Sequence, residues 1–212
     1  MQPYYRDELT TLYYGDFREA MEAMPADSVD CIATDPPYLK EFVPLYGQMA
    51  QQAARVLVPS GSLLALTPHY HLPRILVDMT PHLTYRWLCA MWQADGSHAR
   101  FPGRGWSIRI MWKPLVWWTK GAMPNWLGRV GDGFVNVEEG KQHHEWQQSS
   151  SWADYCLRWV PAGGVVLDPF VGSGTMLLAA RAQGIRSIGV EMSERHCETT
   201  ANRLSQTAMA LL

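Results

Sequence analysis

The feature that most constrains the fold is a strand, a turn, a helix and a second strand near the carboxyl end of the chain. An apolar run ends in Asp168, and a turn with Gly172 and Gly174 follows it. An apolar pattern with helical spacing then begins at Thr175, and a second apolar run ends in Glu191. Two strands joined through a helix lie parallel, and a parallel sheet needs helices on both of its faces.

The rest of the chain continues this alternation of strands and helices. The hydrophobic pattern predicts strands at 12–15, 29–34, 62–67, 83–92, 107–119, 164–168 and 187–191, and helices at 42–56, 72–79, 151–160, 175–183 and 193–208. A chain of 212 residues is long enough for one such domain. We therefore expect an α/β fold with a mostly parallel sheet and helices on both faces.

Four acidic residues lie at the carboxyl ends of predicted strands. They are Asp16, Asp35, Asp168 and Glu191. In open α/β sheets, ligands bind beyond the carboxyl ends of the strands. We expect these carboxyl groups to meet at one edge of the sheet and to form a site there.

The glycine turn after Asp168 has the composition of a nucleoside-binding loop. Gly172 and Gly174 allow the backbone to approach a ligand closely, and Glu191 on the next strand can accept hydrogen bonds from ribose hydroxyls. No Gly-Lys-Ser/Thr sequence follows, which disfavours a phosphate loop. Leu177 stands at the third glycine position, so a dinucleotide-binding fingerprint is incomplete.

The sequence Asp35-Pro36-Pro37-Tyr38 suits chemistry on an exocyclic amino group. The lone pair of such a nitrogen is delocalised into the ring of the base, so it is a poor nucleophile. A carboxylate and a proline carbonyl that each accept one amino hydrogen would localise the lone pair and stabilise the positive charge that develops. The tyrosine ring would stack on a base turned out of the duplex.

Basic and aromatic residues concentrate in the segment 86–131, although the whole chain has a formal charge of −2. Seven basic residues stand there against one acid, and the segment holds seven of the ten tryptophans. Cations neutralise phosphates and flat rings stack on bases, so the segment predicts a nucleic-acid face, although several of these rings could instead fill the core. The predicted DNA-binding cations are Arg100, Arg104, Lys113, Lys120 and Arg129.

Several classes of protein are disfavoured by the sequence. The four cysteines form no Cys-x-x-Cys pair and the histidines lack a typical ligand spacing, so we expect reduced thiols and no metal site. No apolar run approaches the ~18 residues of a membrane span. The first ten residues show no signal-peptide pattern, and we therefore expect a cytoplasmic protein without a membrane partner.

Taken together, the motifs resemble those of the DNA amino-methyltransferases. That family carries an Asp/Asn/Ser-Pro-Pro-Tyr/Phe motif and a Phe-x-Gly-x-Gly motif, which match residues 35–38 and 170–174. The order of the two motifs resembles the β class, and the short chain resembles its small phage or prophage members. The resemblance implies a circularly permuted, Rossmann-like S-adenosylmethionine-dependent methyltransferase fold with seven strands. It also implies one catalytic domain over 1–212, with DNA-contacting insertions at about 93–106 and 119–143.

The resemblance further implies a binding site for S-adenosyl-L-methionine, which leaves as S-adenosyl-L-homocysteine. Asp16 matches an acid that approaches the adenine ring of this cofactor, and Glu191 matches the residue that holds its ribose. His144 and Gln147 take the place of a His-Pro-Thr-Gln-Lys-Pro segment of the family. The implied cofactor residues are Asp16, His144, Gln147, Asp168, Phe170, Gly172, Gly174, Thr175, Glu191 and Met192.

The implied reaction is direct, in-line methyl transfer to the N6 amino group of adenine in DNA, on a flipped base. Asp35 and Pro36 would grip the amino group, with Pro37 and Tyr38 completing the catalytic motif. Cytosine-N4 methylation is the nearest alternative, followed by methylation of RNA or of a protein amide and by nucleotide binding without catalysis. The sequence leaves open a homodimer, a partner restriction nuclease and the recognition site.

Overall fold

The computed structural model describes residues 1–93, 110–137 and 150–209. Four of the predicted site residues, Arg100, Arg104, His144 and Gln147, lie outside the described residues. The same holds for nearly all of the insertion at about 93–106 and for the end of the one at 119–143.

In these described ranges the chain forms nine strands, six α-helices and two short 3₁₀ turns. The strands are β1 (Tyr5–Arg6), β2 (Thr10–Tyr14), β3 (Val29–Thr34), β4 (Leu57–Leu66), β5 (Thr84–Gln93), β6 (Trp112–Thr119), β7 (Gly133–Asn136), β8 (Val165–Asp168) and β9 (Arg186–Glu191). The helices are α1 (Phe17–Ala23), α2 (Val43–Val56), α3 (Leu72–Met79), α4 (Ser150–Leu157), α5 (Thr175–Ala182) and α6 (Glu194–Met209). None of these helices is long and apolar enough to cross a membrane.

All nine strands lie in one sheet, in the order β1-β2-β9-β8-β3-β4-β6-β5-β7. The five strands from β2 to β4 in this order are mutually parallel. Strand β6 is antiparallel to its neighbours β4 and β5, and β1 is antiparallel to β2. The expected α/β architecture is confirmed, but the sheet is mixed and has nine strands in the described residues rather than seven.

Helices cover both faces of the sheet, as expected. Residues of α1, α2 and α3 pack against one face, around the fully buried Tyr46, Met49 and Trp118. Residues of α4, α5 and α6 pack against the other face, which includes Trp117 and Trp159. Some tryptophans of the basic segment therefore belong to the core and are not available to stack on bases.

The sequence pattern missed strands that are too short or too irregular to show a period. Strands β1 and β7 have only two and four residues. The predicted strand at 62–67 leaves out residues 59–61, but β4 runs through them, with Ser60 at a φ of +66° and a register shift between Val29 and Cys31 of β3. Backbone bonds from Ser60 N to Lys120 O and from Lys120 N to Gly61 O, both 2.9 Å, hold this irregular stretch in the sheet.

The turn between β8 and α5 is fixed by its contact with the last helix. Gly174 has a φ of +85°, which favours glycine, and a Cβ atom at this position would lie 2.7 Å from Cγ2 of Thr200. The hydroxyl of Thr200 also donates a hydrogen bond of 3.2 Å to the carbonyl of Gly172. Backbone conformation and close packing together therefore require glycine at position 174.

Replacing Gly174 by alanine should destabilise the protein for two reasons: the positive φ at this position and the clash of the added Cβ with Thr200. The matched control is Gly121→Ala, because Gly121 has a φ of +73° but nothing within 4 Å of an added Cβ. We expect the control to lose about 1–2 kcal/mol of unfolding free energy. Gly174→Ala should lose about 1–3 kcal/mol more, because of the clash with Thr200. Urea unfolding measures both losses, and equal losses would contradict the packing argument.

Candidate functional site

Four neighbouring parallel strands bring the predicted acids to the same edge of the sheet. Strands β2, β9, β8 and β3 are consecutive in the sheet. Glu191 and Asp168 end β9 and β8, Asp35 directly follows β3, and Asp16 lies two residues after β2. We call these four residues the acidic rim. Their placement follows from the parallel topology, because parallel strands all end at one edge.

The carboxyl group of Asp168 is the most buried member of the acidic rim, with 2% of the residue exposed. It accepts hydrogen bonds from Thr34 Oγ1 at 2.7 Å and from the Phe170 backbone N–H at 3.0 Å. Burial raises the pKa of Asp168 to about 7, and the nearby carboxyl groups of Asp35 and Glu191 act in the same direction, while the two hydrogen bonds oppose the shift. A cation placed beside Asp168 would favour its charged form.

Glu191 joins the glycine turn to the strand β9. Its Oε2 accepts from Gly172 N at 2.8 Å, and its Oε1 accepts from Ser193 N at 2.7 Å. A carboxylate has about four acceptor positions, so each oxygen can still accept a ligand hydroxyl. No heavy atom lies within 4 Å of the position that a Cβ on Gly172 would take. Glu191 therefore fixes the turn by hydrogen bonds, while the space beside the Gly172 Cα atom is open to a ligand.

Asp16, Phe170 and Met192 lie beside this turn. Asp16 begins α1 as its N-cap, with its Oδ1 accepting from Arg18 N at 2.8 Å, and the Arg18 guanidinium lowers the pKa of this carboxyl. The rings of Phe17 and Phe170 pack with centroids 4.9 Å apart. Met192 follows Glu191 and is 72% exposed. An exposed methionine next to an acid offers an apolar surface to a flat ligand.

The predicted catalytic motif, residues 35–38, begins directly after β3. Pro36 is buried, and the hydroxyl of Tyr38 donates a hydrogen bond of 2.5 Å to Asp35 Oδ1. Desolvation and the Asp35 charge raise the pKa of Tyr38, so the phenol keeps its proton and remains a donor. Lys113 Nζ lies 5.5 Å from the centroid of the Tyr38 ring. The motif thus combines a carboxylate, a rigid carbonyl, an aromatic ring and a cation.

The structure separates the predicted DNA-binding cations. Lys113, the second residue of β6, lies at the same edge as the acidic rim, because β6 runs antiparallel to β4. Lys120 lies at the opposite edge, where its ammonium group donates to Asp27 Oδ1 at 2.6 Å and to the carbonyl of Leu57 at 2.8 Å. Arg129 is exposed in the connection between β6 and β7. Of the cations whose positions are described, Lys113 is the one placed beside the catalytic motif.

Sequence reasoning missed two features of this edge. The hydrophobic pattern shows Thr34 only as the end of a strand, and its hydrogen bond to Asp168 on the neighbouring strand β8 has no signal in the local sequence. The second feature is an aromatic group, in which the His69 and Trp112 rings lie 4.8 Å apart and the Trp92 and Trp112 rings 6.3 Å apart. Sequence distance hides this group, because its members come from three separate segments.

The raised pKa of Asp168 predicts a characteristic dependence of stability on pH. Its folded-state pKa of about 7 lies above the ordinary 3.8, so the protonated carboxyl contributes stability that is complete below about pH 4 and is lost as the pH rises through 7. Asp168→Asn removes this titration. Urea unfolding between pH 4 and 8 should therefore show a smaller loss of unfolding free energy with rising pH in the variant than in the parent.

The exposed Asp154 supplies the control for this experiment. Asp154→Asn should leave the pH profile of the parent unchanged. Parallel profiles for the parent and Asp168→Asn would contradict the assigned environment of Asp168.

Comparisons with known proteins find similarity to DNA methyltransferases. A family model described as DNA methylase, of the N6 and N4 methyltransferase type, matches residues 135–202. The type II methyltransferase M.ScaI of Streptomyces caespitosus is 24% identical over 99% of this chain and 86% of its own length. The DNA adenine methyltransferase YhdJ of Escherichia coli (strain K12) is 23% identical over 93% of this chain and 83% of its own length.

Solved structures of methyltransferases share the fold. The PvuII DNA methyltransferase, which is cytosine-N4-specific, superposes with a TM-score of 0.82 at 19% identity, over 95% of this chain and 88% of that one. The M1.HpyAVI–SAM complex superposes with a TM-score of 0.75 at 20% identity, over 92% and 99% of the two chains. The family match spans Asp168, the glycine turn and Glu191. The chain is thus similar in sequence and in fold to DNA amino-methyltransferases, both adenine-N6 and cytosine-N4 enzymes.

Proposed function

We propose that this protein transfers the methyl group of S-adenosyl-L-methionine to the N6 amino group of adenine in DNA. The observation that carries the proposal is the position of the catalytic motif. Asp35 follows β3, which pairs directly with β8, and β8 ends in Asp168 next to the glycine turn. A group held at Asp35 therefore lies beside a ligand held at Asp168 and the turn.

The residues of the acidic rim fit S-adenosylmethionine. This cofactor carries a ribose, an adenine ring and two positive groups, a sulfonium and an ammonium. The buried Asp168 suits a positive group, Glu191 suits ribose hydroxyls, and the open backbone at Gly172 allows close approach. Exposed Met192 and the Phe170 ring supply apolar surface for the adenine. When bound, the cofactor supplies an electrophilic methyl group.

The catalytic motif activates the amino group of the target base. Asp35 accepts one amino hydrogen and the carbonyl of Pro36 accepts the other, which draws the nitrogen toward tetrahedral geometry. The negative carboxylate then stabilises the positive charge that develops on the nitrogen. Proline has a fixed φ, and Pro36 is buried, so its carbonyl is held in place before the base arrives.

Tyr38 and Lys113 receive the flipped nucleotide. The Tyr38 ring stacks on the base, and the Lys113 ammonium near that ring attracts the phosphate of the same nucleotide. The hydrogen bond from Tyr38 to Asp35 positions the ring and the carboxylate relative to one another before DNA binds. In this proposal Arg100, Arg104 and Arg129 contribute positive charge to DNA binding, and the insertions at about 93–106 and 119–143 bind the DNA around the target.

Adenine is favoured as the target by the aspartate at the first position of the motif, which resembles the adenine-directed members. The similarity to YhdJ, a DNA adenine methyltransferase, points in the same direction. The second candidate is cytosine N4, which is favoured by the likeness to the cytosine-N4-specific PvuII enzyme. Both reactions use an exocyclic amino group, so the same residues serve either base.

Asp35→Ala should abolish methyl transfer and leave cofactor binding nearly unchanged. Loss of a group that stabilises charge in the transition state lowers turnover by about 10²-fold or more. Transfer of labelled methyl groups to duplex DNA measures turnover, and calorimetry measures binding of S-adenosylhomocysteine. The control is Asp78→Ala, which removes a carboxyl on the surface of α3 that pairs with Arg74 at 2.8 Å. Unchanged turnover in Asp35→Ala would contradict the role of this carboxylate.

The modified base is identified by expressing the protein in cells without DNA methylation and analysing nucleosides by mass spectrometry. N6-methyladenine is the expected product. N4-methylcytosine would establish the second candidate in its place. Methyl groups found in RNA or protein but not in DNA would contradict both candidates.

A further inference from the structure

A buried hydrogen bond joins the carboxyl ends of strands β3 and β8, which lead into the two motifs of the proposed site. The Thr34 hydroxyl donates to Asp168 Oδ1 at 2.7 Å, across 134 residues of sequence. Thr34 is completely buried, and Asp168 is 2% exposed. Water therefore does not compete for this bond, and the carboxyl group loses a partner that solvent would not replace if the hydroxyl were removed.

This bond lies where the pairing of the two strands ends. The last paired residues of β3 and β8 are Ile32 and Leu167. Beyond this pair β3 continues to Thr34 and β8 continues to Asp168, each paired with its other neighbouring strand. The bond between Thr34 and Asp168 is a side-chain connection that follows the backbone ladder. Asp35 is the next residue of the chain after Thr34, so any shift of Thr34 moves the catalytic carboxylate.

The groups around Asp168 mostly disfavour its negative charge, so the hydrogen bond from Thr34 matters for the charged form of this carboxyl. Asp35, Glu191 and the thiol of Cys156 on α4 interact with the Asp168 carboxyl, and its charge is disfavoured by the two acids and by burial. The Thr34 hydroxyl and the Phe170 N–H oppose these effects, because each donates to the carboxylate form. Without the Thr34 hydroxyl, the Phe170 backbone N–H is the donor to Asp168 that remains among these contacts.

We propose that Thr34 is a positioning residue. Its hydroxyl orients the Asp168 carboxylate toward a cationic ligand and keeps this carboxylate aligned with Asp35. Its effect on catalysis rests on the proposed function, since the bond aligns the cofactor side of the site with the amino-group side. Its effect on ligand binding does not require methyl transfer. Thr34 acts through its two neighbours and touches neither reactant.

The test compares Thr34→Val with Thr34→Ser in the full chain. Valine keeps the shape of threonine but removes the donor, whereas serine keeps the donor. The matched control is Thr10→Val, because Thr10 is a buried threonine of β2 whose hydroxyl accepts from Ser187 Oγ at 3.2 Å, at the amino end of the strand. Calorimetry between pH 5 and 9 measures the affinity for S-adenosylmethionine, and a methyl-transfer assay on duplex DNA gives kcat and KM.

In the parent, the affinity should rise as the pH passes about 7, since a charged Asp168 attracts the cofactor. Thr34→Val should move this midpoint upward by about one pH unit, because it removes a hydrogen bond to the charged form. Its kcat should fall by about 10- to 100-fold, because Asp168 and Asp35 are no longer aligned with one another. Thr34→Ser and Thr10→Val should retain the midpoint of the parent and kcat within about 3-fold.

A Thr34→Val protein with the midpoint and kcat of Thr34→Ser would overturn the proposal. If Thr34→Val does not fold, Thr34→Ala is compared with Thr34→Ser instead. An equal pH midpoint and an equal kcat in these two variants would then overturn the proposal. A parent protein that binds the cofactor but methylates no DNA would contradict the proposed function alone. In that case an upward shift of the binding midpoint in Thr34→Val supports the positioning role, and an unchanged midpoint overturns it.

Discussion

The site depends on a carboxyl group that is buried at the edge of a parallel sheet. Burial of Asp168 disfavours its charge, and the two donors from Thr34 and Phe170 offset part of that cost. The neighbouring acids Asp35 and Glu191 add to the negative potential at the same edge. Such an arrangement is unfavourable in isolation, and a ligand with positive groups relieves it. The burial of Asp168 therefore lowers the free energy of unfolding at neutral pH and also favours a ligand with positive groups.

The parallel topology converts distant sequence motifs into one site. The proposed catalytic motif follows β3 and the glycine turn follows β8, although more than half of the chain separates the two motifs. Strand β6 runs in the opposite direction, so its first residues, including Lys113, reach the same edge. A cation is thereby placed over the Tyr38 ring, within an otherwise acidic neighbourhood. This separation of charge suits a site that accepts a cationic cofactor on one side and a phosphate on the other.

Sequence analysis predicted the elements with a clear hydrophobic period and the motifs that follow them. The bounds of β3 and α3 agree with the predicted ranges, and the four acids lie at one edge as expected. Strands β1 and β7 were missed because they are short and are formed through pairing with distant segments. The opposite position of Lys120 could not be foreseen, since charge counts along a sequence do not show which edge a side chain reaches. The bond between Thr34 and Asp168 depends on tertiary contact and has no signal in local pattern.

The most direct test of this account is a crystal structure of the protein with S-adenosylmethionine bound. The account predicts the ammonium or sulfonium group of the cofactor beside Asp168, its ribose at Glu191, and its methyl group directed toward Asp35 and the carbonyl of Pro36, with space for one amino group between them. A methyl group directed away from Asp35, or a cofactor bound at another part of the sheet, would contradict it.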